Sequence, residues 1–192
     1  AFTALVVEAL AHAPLEKSAA NQRLIDRAVA AILERQQPNG SICTPHFGLD
    51  QYTTSISLLA LKTLNRPEDA AVIEKAKEYL LKLQRPMVEG DPLSGGVGYG
   101  DPSRVDGGNT AMWVEALKNA GVASDSEAFK NAQKFFSRIQ NNKETNDLPA
   151  EGFEPSDDGG FYYRPGESKS EPEVSRSGKK TLQSYGLMSY AG

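Results

Sequence analysis

Lys75-Ala76-Lys77-Glu78-Tyr79-Leu80-Leu81-Lys82-Leu83-Gln84 is the stretch that decides the fold. Ile73, Ala76, Tyr79, Leu80 and Leu83 fall on one side of a 3.6-residue period, and Glu74, Lys75, Lys77, Glu78 and Lys82 fall elsewhere, so the segment reads as an amphipathic helix. The same pattern occurs twice more, as Arg27-Ala28-x-x-Ala31-Ile32-x-x-x-Gln36 and as Asn131-Ala132-x-x-Phe135-Phe136-x-x-x-Gln140. A glycine turn follows each copy: Asn39-Gly40-Ser41-Ile42, Gly95-Gly96-Val97 and Gly159-Gly160-Phe161. Self-similarity at this period marks a repeat architecture.

A second series interleaves with the first. It begins at a threonine: Thr3-Ala4-Leu5-Val6-Val7-Glu8-Ala9-Leu10, then Thr54-Ser55-Ile56-Ser57-Leu58-Leu59-Ala60-Leu61, then Thr110-Ala111-Met112-Trp113-Val114-Glu115-Ala116-Leu117. A weaker fourth copy is expected from Thr181 through Tyr185, Gly186, Leu187 and Met188. The glutamines lie 48 and 56 residues apart and the threonines 51, 56 and 71 apart. The unit is therefore a helix pair of roughly 50 residues, within the range of helical repeats.

The threonine-started helices are apolar nearly all round, which marks them as buried. The expected order alternates inner and outer helices: inner 2–12, outer 22–36, inner 54–64, outer 70–84, inner 109–120, outer 126–140, inner 181–190. Thr3, Thr54 and Thr110 (or Asn109) are expected as N-caps, and Asn65 and Gly121 as left-handed C-caps. The expectation is an all-α chain of about seven helices forming one helical-repeat domain over 1–192. Its repeats fall at about 1–36, 54–84, 109–140 and 181–192. Residues 141–180 form a long loop holding Pro149, Pro155, Pro165 and Pro172.

Charge and composition exclude several classes. A formal net charge of −4 argues against a binder of nucleic-acid phosphates, which carries a basic face. No apolar run reaches the roughly 18–20 residues that span a bilayer, and no charged segment precedes an apolar one as in a signal peptide. The single cysteine, Cys43, rules out an internal disulfide and a multi-cysteine zinc site.

The glutamine-ended motif resembles the repeat of terpenoid cyclases and protein prenyltransferases, the QW motif, [K/R]-[G/A]-x-x-[aromatic]-[L/I/V]-x-x-x-Q-x-x-x-G-x-W. Lys75 to Gln84 meets its first half at every position, and Gly40 stands four residues after Gln36. Ile42, Val97 and Phe161 stand where the motif has Trp. The tail Tyr185–Gly192 is similar to bacterial prenyltransferase and squalene-oxidase repeat proteins of unassigned activity. The resemblance implies an α/α toroid with inner helices around a central cavity. With seven helices against the family's six pairs, it implies a partial α–α barrel and a longer parent chain.

The family's chemistry does not carry over with the repeat. The D-x-D-D acid of squalene–hopene-type cyclases has no counterpart; the nearest sequence, Ser156-Asp157-Asp158, reads first as the turn into Gly159-Gly160. The D-D-x-x-D metal site is missing. Ser41 stands where the prenyltransferase zinc site has its Asp before the Cys, so Cys43 does not match it. Cys43 and His46, at i and i+3 in a Pro-containing loop, read as an inert thiol and a loop histidine rather than a nucleophile and base. No metal and no cofactor is expected.

Loops on a rigid scaffold carry most binding residues. Gly95 to Gly100 is not a dinucleotide fingerprint, because no βαβ unit surrounds it. Around it and its counterpart, the ligand-binding candidates are Tyr99, Asp101, Arg104, Asp106, Trp113, Asp157, Asp158, Tyr162, Tyr163 and Arg164. Tyr99 and Tyr162 read equally as ligand contacts or as loop tethers, whereas Phe161 reads as a tether. The first functional reading is a prenyltransferase/squalene-cyclase-like repeat domain whose apolar cavity holds a small apolar ligand or isoprenoid. A second is a non-catalytic structural or protein-interaction repeat module. A third is part of a terpenoid cyclase whose acid lies outside this segment. The expected partners are a small apolar ligand and the rest of the parent chain or another subunit, with no nucleic acid.

Overall fold

In a computed structural model, residues 1–13, 18–100, 103–148, 153–174 and 178–191 are described. Among them are seven α-helices: α1 Phe2–His12, α2 Ala19–Leu33, α3 Asp50–Leu64, α4 Ala70–Leu81, α5 Gly107–Asn119, α6 Glu127–Ile139 and α7 Gly186–Ala191. Three short strands lie between α6 and α7: β1 Phe153–Pro155, β2 Glu173–Val174 and β3 Lys180–Leu182. The chain is thus mostly helical but not all-α. The strands form one sheet in the order β1-β3-β2, with β3 parallel to β1 and antiparallel to β2. They lie in and just beyond the Pro- and Gly-rich segment that lacked a helical period.

The residues fall into two compact units: Ala1–Leu83 with Met112–Ser124, and Gln84–Ala111 with Asp125–Gly192. In the first unit, α1 packs on α2 and α3, and α3 packs on α4. Helix α3 is buried on most sides, with Ile56, Leu58, Leu59, Ala60 and Leu61 nearly inaccessible, as expected of a helix apolar all round. It stops at Asn65, whose φ of 50° and ψ of 44° make the left-handed C-cap. Helix α2 buries only Val29 and Ile32 and is capped by Ser18, whose hydroxyl accepts from the Asn21 N–H at 3.1 Å.

The second unit is built on Val105, Phe135, Ile139, Tyr162 and Leu182, with Leu93, Phe136, Leu148 and Phe161 packed against them. Helix α6 presents Phe135 and Ile139 to this core, also buries Ala132, and is capped by the Ser126 hydroxyl. Among the described residues, no helix is long and apolar enough to cross a membrane.

Several helix starts differ from expectation. Helix α1 begins at Phe2 with Ala1 at its N-cap, so Thr3 lies inside the helix and does not cap it. Helix α3 begins at Asp50 and α5 at Gly107, so Thr54 and Thr110 lie one turn inside their helices instead of capping them. Thr181 is in strand β3, and the last helix starts at Gly186.

Candidate functional site

The repeated residues meet at a joint with a fixed hydrogen-bond pattern. In the first unit, Gln36 and Ile42 pair across the turn as an antiparallel bridge, and the Gln37 N–H donates to the Ser41 carbonyl at 2.7 Å. In the second unit, Gln140 pairs with Phe161, and the Asn141 N–H donates to the Gly160 carbonyl at 2.7 Å. The middle turn repeats the second bond, with the Arg85 N–H donating to the Gly96 carbonyl at 3.0 Å. Gly40, Gly95 and Gly159 all have positive φ, at 95°, 84° and 77°, which explains why the motif requires glycine there.

The internal threonines tie each turn to the buried helix that follows. The Thr54 hydroxyl donates to the Asp50 carbonyl at 2.6 Å and accepts from the Ile42 N–H at 2.9 Å. The Thr110 hydroxyl donates to the Asp106 carbonyl at 2.8 Å and accepts from the Val97 N–H at 3.0 Å. Both Ile42 and Val97 are buried, so their N–H groups need a protein partner. In the third turn the Phe161 N–H donates to the Ser189 hydroxyl at 2.9 Å. Ser189 is therefore the fourth member of the threonine series, and Thr181 is not. Its signal was available: Ser189 follows Tyr185 by four residues, as Thr54 follows Asp50 and Thr110 follows Asp106. The part that the series shares is the hydroxyl, which serine carries as well as threonine.

Two of the three glutamines tie their turn to the next amphipathic helix. Gln36 Nε2 donates to the Val72 carbonyl in the first turn of α4 at 3.0 Å. Gln84 Nε2 donates to the Ala128 carbonyl in the first turn of α6 at 2.7 Å and to the Gly95 carbonyl at 2.8 Å. Val72 and Ala128 occupy the same motif position, three residues before Lys75 and Asn131. A Cβ on Gly40 would overlap the Lys75 carbonyl oxygen, and one on Gly95 the Asn131 carbonyl oxygen. Each glycine therefore lets a helix backbone rest directly on the turn.

The ligand-binding candidates separate into distinct settings. Asp106 is 3% exposed; its Oδ1 accepts from the Asn109 N–H at 2.8 Å, and its Oδ2 from Asn109 Nδ2 at 2.7 Å and the Tyr163 hydroxyl at 3.2 Å. Burial and then the Asp106 carboxylate push the Tyr163 hydroxyl up to about 12. The Lys169 ammonium lies 4.2 Å from the Tyr163 ring centroid, and the Arg104 guanidinium lies 5.7 Å from that of Tyr99. Arg164 is paired with Glu167. Asp101 lies outside the described residues.

Tyr162 is fully buried in the core; its hydroxyl donates to the Arg138 carbonyl at 2.6 Å and accepts from Asn146 Nδ2 at 3.0 Å. Trp113 belongs to the first unit, is fully buried, and donates its indole N–H to the Leu80 carbonyl at 2.7 Å. Asp157 accepts from the Lys143 N–H at 3.1 Å. Asp158 accepts from the Gly160 N–H at 2.9 Å and from the Ser184 hydroxyl. Burial alone would raise the Asp158 carboxyl, but these bonds outweigh it and hold the group below the ordinary carboxylate range. Asn39 does the same job in the first turn, accepting from the Ser41 N–H at 3.0 Å and the Ser41 hydroxyl at 2.8 Å.

Asn141 was not foreseen. It is fully buried; its Nδ2 reaches the Leu182 carbonyl and the Ser184 hydroxyl, both at 2.9 Å, and its Oδ1 accepts from the Ser156 N–H at 3.2 Å. It holds the small sheet to the third turn, an arrangement that no motif announces. Cys43 is buried, and burial pushes its thiol up, which suits an inert thiol.

The first unit holds a groove of about 550 Å³ lined by Leu10, Ala13, Asn21, Ile25, Thr63 and Leu64, among others. Among the described residues, no group of three or more His, Cys, Asp or Glu is placed to hold a metal ion. No protein-family model and no curated protein matches the chain.

Proposed function

We propose that this chain is a prenyltransferase/squalene-cyclase-like helical-repeat domain that works by holding a partner rather than through side-chain chemistry of its own. The fold proposed with it is the α/α toroid of the resembled family, its threonine-started helices inner and its glutamine-ended helices outer. The observation that carries the reading is the repeated joint: the same glutamine, glycine and hydroxyl recur, each bonded to backbone. Asp106, Asp158, Tyr162 and Tyr163, the candidates nearest to acid–base chemistry, are likewise engaged in bonds that hold loops. A catalytic acid or base needs reach to a substrate proton.

The test is incubation of the recombinant chain with squalene and with C15 and C20 isoprenoid diphosphates, followed by product analysis. The expected result is no cyclised product and no release of diphosphate. Turnover that is lost in Asp158→Asn or Asp106→Asn overturns the reading.

A further inference from the structure

The sequence holds one Asn-Gly pair, and it stands in the first joint as Asn39-Gly40. Glycine has no Cβ to shield its nitrogen, so that nitrogen can attack the side-chain amide of a preceding asparagine. The residues before the glycine in the other two joints are Ser94 and Asp158. Neither carries an amide, yet both bind backbone from that position. The Ser94 hydroxyl accepts from the Val88 N–H, and Asp158 from the Gly160 N–H, each at 2.9 Å. The joint therefore uses an oxygen at this position and has no need of an amide nitrogen.

The folded turn engages the reacting atoms elsewhere. Asn39 is exposed, and its Oδ1 accepts from the Ser41 N–H at 3.0 Å and the Ser41 hydroxyl at 2.8 Å. The Gly40 N–H donates back to the Gln37 carbonyl at 2.9 Å. Bringing the Gly40 nitrogen onto Asn39 Cγ breaks these bonds and swings the Gly40 peptide. Helix α4 opposes that swing. Gly40 is buried beneath it, and a Cβ there would stand 2.4 Å from the Lys75 carbonyl oxygen and 3.3 Å from Tyr79 Cβ. The bond from Gln36 to the Val72 carbonyl keeps α4 seated.

We propose that Asn39 is a site of spontaneous deamidation gated by the first joint, and that the product keeps the joint from closing. When α4 lifts, the Gly40 nitrogen gives up its proton and bonds to Asn39 Cγ. The Cγ–Nδ2 bond breaks, and the nitrogen leaves as ammonia. Water then opens the cyclic imide. Attack at Cγ gives aspartate, and attack at the main-chain carbonyl gives isoaspartate, whose backbone runs through Cβ. Isoaspartate thus lengthens the chain by one carbon just before Gly40. The turn then cannot meet the Gln37 carbonyl and fit under Lys75 at once.

The experiment is peptide mapping of the whole chain by mass spectrometry during incubation in warm, mildly alkaline buffer. The readout is the mass gain of amide to acid at Asn39. The native chain should react about tenfold or more slowly than the chain in urea, since reaction waits on a local opening. Gln36→Ala removes a bond to α4 and leaves Asn39-Gly40 intact; it should speed the native reaction about threefold or more. Thr110→Val, which loosens the second unit, should leave the rate unchanged. Equal native and urea rates overturn the gate. So does equal acceleration by Gln36→Ala and Thr110→Val, which would make global unfolding the limiting event. The isoaspartate form, separated from the fresh chain, should have a lower urea midpoint. Asn39→Asp has the charge on an ordinary backbone and should keep the fresh chain's midpoint, as Asp158 serves the third turn. An isoaspartate form as stable as the fresh chain, or an Asn39→Asp chain as weak as the isoaspartate form, overturns the block on closing.

Discussion

The turn at Gly95 and the turn at Gly159 descend from one motif and differ in what lies on them. At Gly95 the carbonyl of Asn131 sits where a side chain would be, and Gln84 bridges to Ala128. At Gly159, also of positive φ, no described residue lies within 4 Å of where a Cβ would stand, and the Gln140 amide bonds the Gly159 carbonyl of its own turn. The backbone bond from the residue after the glutamine is nonetheless present in both, at 3.0 Å from Arg85 and 2.7 Å from Asn141. The turn is therefore a local structure that forms without a neighbour. Its glycine serves two purposes, a positive φ everywhere and a docking surface only where a helix arrives.

The largest test of that division is alanine at each glycine. Gly159→Ala carries only the cost of a left-handed alanine, about 1–2 kcal/mol. Gly95→Ala carries that cost and also drives a Cβ into the backbone of α6, for a loss on the order of 3 kcal/mol or more. Gly40→Ala should behave like Gly95→Ala, because its Cβ would meet the Lys75 carbonyl. Urea midpoints at constant m-value measure all three. Equal losses at Gly95 and Gly159 would show that docking adds nothing to the requirement for glycine.

A smaller difference is expected at the hydroxyls. Thr110→Val keeps shape and leaves the buried Val97 N–H without its acceptor, which costs about 1–3 kcal/mol. Ser189 is exposed, so in Ser189→Ala water can take the Phe161 N–H, and the loss should stay below about 1 kcal/mol. If Ser189→Ala destabilises as much as Thr110→Val, the third joint is sealed in solution.

How much of this was legible follows from range. The amphipathic period of Lys75 to Gln84, the left-handed stop at Asn65 and the burial of α3 are short-range signals, and each was readable; α1, expected to be buried as an inner helix, buries only Ala4 and Val7 and leaves Phe2 and Val6 exposed. The role of the threonines was not. An N-cap and a hydroxyl one turn inside a helix look alike in sequence, and only the extra turn from Asp50 or Gly107 separates them. The strands were missed because β2 has two residues and β1 and β3 three each, too short to show alternation. Among the candidate site residues, Tyr162 and Trp113 turned out fully buried because a polar tip on an aromatic ring serves an internal carbonyl as readily as a ligand. Sequence does not state which partner such a tip will find.

The finest contrast between the turns is electrostatic. Asn39 caps the first turn with a neutral amide, and Asp158 caps the third with a carboxylate held below its ordinary range by the Gly160 N–H and the Ser184 hydroxyl. A carboxyl lowered in the folded state contributes stability above its unfolded pKa, near 3.9, and loses it as pH falls through the folded value. Asp158→Asn keeps the acceptor and removes the titration, giving the third turn the chemistry of the first. Asp91, Asp147 and Glu167 are lowered too, so both proteins lose stability in acid. The variant's loss between neutral pH and pH 3 should be smaller by a few tenths of a kcal/mol, because Asp158 is solvent-exposed and screened. Paired urea melts at the two pH values measure that difference. Parallel losses would mean that the carboxylate gives this turn nothing that the amide of Asn39 does not give the first.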